Sequence, residues 1–122
     1  RVFEKHPGLN VILGHMGEAI PFQLWRMDSR WAIANRQGRT LKEPPSFYIR
    51  RNIMVTTSGV CSEEPLHCAL DALGTENVMF SADYPFERTI EASHFIETVK
   101  IDESLRQKIC WDNAKRILNL NI

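Results

Sequence analysis

The apolar run Asn77-Val78-Met79-Phe80 leads straight into Ser81-Ala82-Asp83-Tyr84-Pro85-Phe86-Glu87, delivering one carboxylate into a proline-containing turn. The run is short and rich in residues that suit a pleated, half-buried surface, so it predicts a strand. Pro85 restricts the residue before it, which predicts extended geometry at Tyr84 and puts Asp83 at the strand's C-terminal tip. Parallel α/β folds keep their chemistry at that end of their strands.

Two more runs have the same form. Asn10-Val-Ile-Leu13 gives way to Gly14-His15, and Asn52-Ile-Met-Val-Thr-Thr57 to Ser58-Gly59. Helical periodicities alternate with them: Ile20, Leu24, Met27, Trp31 and Ala34 mark one apolar face, Leu66, Ala69, Leu70 and Leu73 a second, and Ala92, Phe95, Ile96 and Val99 a third. Pro7-Gly8 ends an opening helix, Pro21 and Pro65 fall in first turns, Gly74 terminates, and Asp102 caps a last helix through Leu105 and Ile109. The segment 37–46, with Gly38, Pro44 and Pro45, reads as the one long loop. Strands alternating with amphipathic helices predict an α/β fold with a parallel sheet, which gathers His15, Ser58 and Asp83 on one rim. Three strands leave two open edges, so the reading is of a chain that starts in mid-fold and belongs to something larger.

Composition narrows the function classes. The 122 residues suffice for one domain with a core, and 43% hydrophobic with 25% charged residues is ordinary for a soluble protein. Fifteen basic residues balance fifteen acidic ones without clustering, which predicts neither a nucleic-acid nor a membrane partner. Cys61, Cys68 and Cys110 show no CxxC spacing, which argues against a disulfide framework or a zinc knuckle. They fit a reducing, cytoplasmic setting as buried small hydrophobes. No apolar run approaches the roughly 18 residues of a membrane span, and no charged-then-apolar leader is seen.

Gly14-His15-Met16-Gly17-Glu18 sets an imidazole and a carboxylate in a glycine-flanked turn. The imidazole carries protons near neutral pH, and a carboxylate beside it fixes its tautomer; a helix-entry turn with a capping Glu is the plain alternative. Asp83 could ligate a divalent cation, act as acid or base, or cap its turn. Arg26 lies one position off its helix's apolar stripe, suited either to an anionic substrate or to a surface ion pair with Asp28 or Glu18. A Ser58, His15, Asp83 triad can be drawn from Thr56-Thr57-Ser58-Gly59, but the G-x-S-x-G elbow is missing, which argues against serine catalysis. His6, His67 and His94 read as structural or surface residues, and Trp25, Trp31 and Trp111 as packing residues.

Taken together, Val11-Ile-Leu-Gly-His-Met-Gly-Glu18 with Pro21-Phe22 and Trp25-Arg26, Thr56-Thr-Ser-Gly59, Ser81-Ala-Asp-Tyr-Pro-Phe-Glu87 and Asn113-Ala114 resemble the C-terminal part of the amidohydrolase-related (amidohydrolase 2) family. Within it they are most similar to the metal-dependent, non-oxidative aromatic acid decarboxylases acting on γ-resorcylate, 2,3-dihydroxybenzoate and 5-carboxyvanillate. The resemblance runs from about Pro7 to Leu118. It implies that residues 1–122 are the C-terminal portion of a TIM barrel domain, holding strands six to eight of a fold that takes ~250 residues. The Glu-x-His pair of the first strand and the metal-binding His of the fifth then fall outside this sequence.

Site roles follow from the same resemblance. Asp83 matches a metal ligand and proton donor, His15 an acid/base partner not bound to metal, Glu18 the carboxylate that orients it, and Arg26 a substrate contact. The implied cofactor is a divalent cation (Zn, Mn or Mg) that binds the substrate's carboxylate and ortho-hydroxyl, while ring protonation lets carbon dioxide leave. The substrate is then a small aromatic carboxylic acid, and the protein a homo-oligomer of aromatic-compound degradation. The departure is in the metal site, since one carboxylate falls short of the roughly three protein ligands a catalytic metal takes. Two rivals remain: a hydrolase of the same superfamily opening a lactone or cyclic amide, and a catalytically silent fragment.

Overall fold

Apolar strands separated by amphipathic helices condense into a single parallel sheet in strand order β1-β2-β3. The computed structural model describes residues 1–36, 38 and 41–122. After a one-turn helix α1 (Val2–Lys5) come β1 (Val11–Leu13), α2 (Ile20–Asn35), α3 (Pro45–Asn52), β2 (Ile53–Thr56), α4 (Glu63–Leu73), β3 (Val78–Met79), α5 (Thr89–Thr98), α6 (Glu103–Gln107) and α7 (Asn113–Ile117). Val11 pairs in register with Ile53 and Leu13 with Val55, while Val55 also pairs with Val78, so β2 is the central strand. Ile53, Met54 and Val55 are all buried, as expected for a strand enclosed on both faces of a parallel sheet.

Side chains alternate across the sheet. Ile53, Val55 and Val78 face the helices and pack with Leu24, Leu66, Leu70, Leu73, Ile96 and Ile109. Met54 and its register partner Ile12 point the other way; Met54 is buried, but Ile12 is 42% exposed. The helix-facing side is therefore a finished core, and the opposite face is partly open.

Several expectations need correction. The loop predicted over 37–46 overruns α3, because Pro45 opens a helix. Its fixed φ suits a first turn, and the first-turn residue Ser46 bonds through its N–H (2.9 Å) and hydroxyl (2.6 Å) to the Asp28 carboxylate of α2. Gln37, Arg39 and Thr40 of that segment lie outside the described residues. The third strand is shorter than its apolar run: residues Thr75–Asn77 form a tight helical turn, and pairing ends at Met79. The last helix is broken: Asp102 caps α6 through the Leu105 N–H at 2.9 Å, but residues Lys108–Asp112 widen into a π-helical turn before α7. Cys61 and Cys110 are exposed and Cys68 is half-buried, so the thiols are not the buried hydrophobes expected. Trp25 is 78% exposed and packs little. Among the described residues no helix is long and apolar enough to cross a membrane.

Candidate active site at the sheet rim

Where β1 ends, the backbone turns through an uncommon series of conformations. His15, Met16 and Glu18 all have positive φ, at 52°, 54° and 54°, with Gly17 at 75°. Apart from Gly, and less often Asn, Asp and His, residues seldom take up that region, so something must hold a run of them there. Met16 supplies part of the answer, since its side chain is 2% exposed and belongs to the core. Gly17 supplies another, because a Cβ there would lie 2.7 Å from Val55 Cγ1. The turn is thus pressed onto the central strand, and His15 stands out of it over the rim.

Asp83 arrives from the other side. It lies beyond Phe80–Ala82 and not at the tip of β3, in a turn where its own φ is 63° and the Phe86 and Glu87 N–H groups donate to its carbonyl. The Tyr84–Pro85 peptide is cis, a geometry that the expectation of an extended Tyr84 did not include. The two turns bring the side chains into contact: His15 Nε2 is 3.1 Å from Asp83 Oδ2, and His15 Nδ1 is 2.9 Å from Glu18 Oε1. One imidazole therefore bridges two carboxylates. Hydrogen bonds donated to the Asp83 carboxylate first and the Glu18 carboxylate second hold its pKa above the ordinary 6.5, because both favour the protonated ring. The ring stays reachable, with its side chain 45% exposed and that of Asp83 28% exposed. Asp83 Oδ1 has no hydrogen-bond partner among the described residues.

The remaining expected residues divide. Ser58 is buried on the rim, but its Oγ accepts the His15 backbone N–H at 3.2 Å and lies 3.0 Å from Thr56 Oγ1. With His15 Nε2 facing Asp83, no serine triad is assembled. Arg26 is exposed on α2, and among the described residues it makes no ion pair with Asp28 or Glu18, whose carboxylates face Ser46 and His15 instead. His67 pairs loosely with Glu63 at 3.5 Å, and His6 and His94 are at the surface. Sequence reading missed the contact made by Gly59, where a Cβ would lie 2.8 Å from His15 Cδ2 and 3.3 Å from Asp83 Oδ2. The signal was the Thr-Thr-Ser-Gly stretch itself, an unusual concentration of hydroxyls at a strand end.

A small cavity lies beside the His15–Asp83 pair. It measures about 110 Å³ and is lined by Gly59, Cys61, Ala82, Glu87, Arg88 and Glu91 among others. A larger one of about 320 Å³ lies away from the rim, between α1 and α3, against Phe3, Tyr48 and Ile49. Among the described residues, no three His, Cys, Asp or Glu side chains converge in a way that could hold a metal ion.

The γ-resorcylate decarboxylase of Polaromonas sp. is 38% identical over 121 residues, and the match covers 98% of this chain but 37% of that protein. The chain thus spans little more than a third of the curated relatives it matches. Among solved structures, 5-carboxyvanillate decarboxylase LigW from Sphingomonas paucimobilis superposes with a TM-score of 0.93 at 43% identity, covering 98% of this chain and 36% of that one. A dihydroxybenzoic acid decarboxylase from Polaromonas sp. JS666, solved with bound manganese and the inhibitor 2-nitroresorcinol, gives 0.84 at 36% identity, covering 99% and 37%. The fold is accordingly part of a TIM barrel, three strands with their helices. The sequence profile described as amidohydrolase matches residues 1–120, and the chain belongs to the amidohydrolase family.

Proposed function

We propose that residues 1–122 are the C-terminal portion of an amidohydrolase-like barrel domain whose complete protein decarboxylates a hydroxybenzoate-like aromatic acid without oxidation. It is a carbon–carbon lyase reading, and the observation that carries it is the imidazole of His15 bridging Asp83 and Glu18 on an open rim. The relatives that match this span as decarboxylases support the substrate class. Balanced charge and the cysteine pattern support a small-molecule enzyme of the cytoplasm over one with a nucleic-acid or membrane partner, and the family resemblance supports a homo-oligomer.

The relative with bound manganese supports a divalent metal (Zn, Mn or Mg) as cofactor of the complete protein. The residues of this chain do not fit such an ion by themselves, because a catalytic metal takes about three protein ligands and no such set converges among the described residues. Asp83, whose Oδ1 has no hydrogen-bond partner among the described residues, is the residue that would serve as one ligand of such an ion.

The chemistry assigned to this chain's own residues is proton delivery and anion binding. Arg26, exposed and free of the nearby carboxylates, holds the substrate anion. Asp83 delivers a proton to the ring carbon that bears the carboxylate, and His15 replaces it through Nε2. A carbon–hydrogen bond forms, the ring–carboxyl bond breaks, its electron pair restores the aromatic ring, and carbon dioxide leaves. Glu18 on Nδ1 keeps the imidazole oriented and basic enough to take its next proton from solvent.

Headspace carbon dioxide measured from the complete protein over a panel of hydroxybenzoates tests this reading. Release from acids with an ortho-hydroxyl is expected. A ring-opened acid from a lactone or cyclic amide would move the protein to the hydrolases, and no carbon dioxide from any acid would end the decarboxylase reading.

A further inference from the structure

Three consecutive hydroxyl residues lie between the two halves of the rim, and their bonds divide by direction. The Thr57 N–H donates to the Met79 carbonyl at 3.0 Å, continuing the β2–β3 ladder past its last pair. Its hydroxyl then takes both backbone groups of a single residue, accepting the Ser81 N–H and donating to the Ser81 carbonyl, each at 3.1 Å. That fixes the chain just before Asp83. Ser58 Oγ accepts the His15 N–H at 3.2 Å and is braced by Thr56 Oγ1 at 3.0 Å, which fixes the positive-φ turn that carries the imidazole. Thr57 is 2% and Ser58 5% exposed, so water does not compete for these bonds.

Close packing completes the arrangement. A Cβ on Gly14 would meet Ser58 Oγ at 2.9 Å, and one on Gly59 would meet His15 Cδ2 at 2.8 Å, His15 Nε2 at 3.2 Å and Asp83 Oδ2 at 3.3 Å. The backbone of Gly59 is thus the floor on which the His15–Asp83 contact rests. We propose that Thr56-Thr57-Ser58-Gly59 is a positioning template that sets the separation of His15 and Asp83: Thr57 places the Asp83 turn, Ser58 with Thr56 places the His15 turn, and Gly59 leaves room for the pair. Ser58 acts here through the backbone of His15 and not as a nucleophile.

The test uses the 122-residue chain, nitrogen-15 labelled, with the His15 ring nitrogens assigned by their loss in His15→Gln and read at one fixed pH. Thr57→Val keeps the shape and removes both Ser81 bonds, Ser58→Ala removes the acceptor for His15, and Gly59→Ala inserts the Cβ. In each, the Nδ1 and Nε2 resonances are expected to leave their wild-type positions for those seen in Asp83→Asn. Thr57→Ser restores the hydroxyl and is expected to restore the wild-type pattern. Gly74→Ala controls for backbone strain, since Gly74 also has positive φ, at 93°, with nothing within 4 Å of a Cβ; it is expected to leave His15 unmoved. If Thr57→Val fails to give a folded amide spectrum, Ser58→Ala and Gly59→Ala still decide. Wild-type ring resonances in folded Ser58→Ala and Gly59→Ala would overturn the proposal.

The catalytic consequence rests on the decarboxylase reading. In the complete protein the same substitutions are expected to lower kcat by roughly 10- to 100-fold with KM little changed, because a small misplacement of a proton donor costs rate before it costs binding. A wild-type protein that releases no carbon dioxide would sink that reading and leave the ring-nitrogen result standing.

Discussion

His15 is held by groups from three places in the chain: Glu18 from its own turn, Asp83 from a residue 68 positions away, and the hydroxyl of Ser58 on its backbone N–H. Two carboxylates on one ring raise its pKa above 6.5, so the imidazole should titrate late. A histidine with a folded pKa above its unfolded one stabilises the fold fully below the unfolded value, and that contribution is lost as pH rises through the folded value. In chelator-treated buffer, a proton NMR titration is expected to give a His15 midpoint above 6.5. Asp83→Asn should lower it more than Glu18→Gln, because the Asp83 hydrogen bond is the larger cause. A wild-type midpoint at or below 6.5 would mean that the pair is not formed in solution.

At the scale of elements, buried amides join segments that pair poorly on their own. Asn113, 1% exposed at the start of α7, donates through Nδ2 to the carbonyls of Thr75 at 2.7 Å and Val78 at 2.8 Å. It thereby ties the last helix to a β3 of only two residues. Asn52 does the same at the other edge, donating to Pro7 and Leu9 ahead of β1. Asn113→Ala leaves the buried Val78 carbonyl and the more exposed Thr75 carbonyl without this donor, and an unsatisfied buried group costs about 1–3 kcal/mol. The expected loss, read from urea denaturation, is roughly 1–3 kcal/mol, tempered by the freedom of Asn113 Oδ1, which has no partner among the described residues. A loss under about 0.5 kcal/mol would show that β3 is held by its apolar contacts alone.

The molecule as a whole has a finished core on one side of its sheet and unfinished surface elsewhere. β1 and β3 are both edge strands, and Phe22, Trp25, Tyr84 and Phe86 are each at least 78% exposed. Open edges and large exposed apolar side chains favour association. Sedimentation of the 122-residue chain is expected to show reversible self-association, and elemental analysis to find well under one metal per chain, since no ligand set converges among the described residues. Stoichiometric metal that disappears in Asp83→Ala would instead mean that copies complete the site between them.

The α/β order, the parallel sheet and the gathering of His15, Ser58 and Asp83 on one rim were legible in the sequence. Those follow from local patterns: apolar runs that give way to small or polar residues, helix faces of period 3.6, and a topology that points all strand ends one way. Long-range packing was needed to set α3, whose first turn is capped by Asp28 from another helix, and the break in the last helix, where the Phe80 N–H donates to the Ile109 carbonyl at 2.8 Å. It also decided what the hydroxyls of Thr57 and Ser58 do. A hydroxyl on a strand end has no role until a second chain segment offers it a donor or a carbonyl, and Ser81 and His15 reach those residues only once the three strands lie side by side.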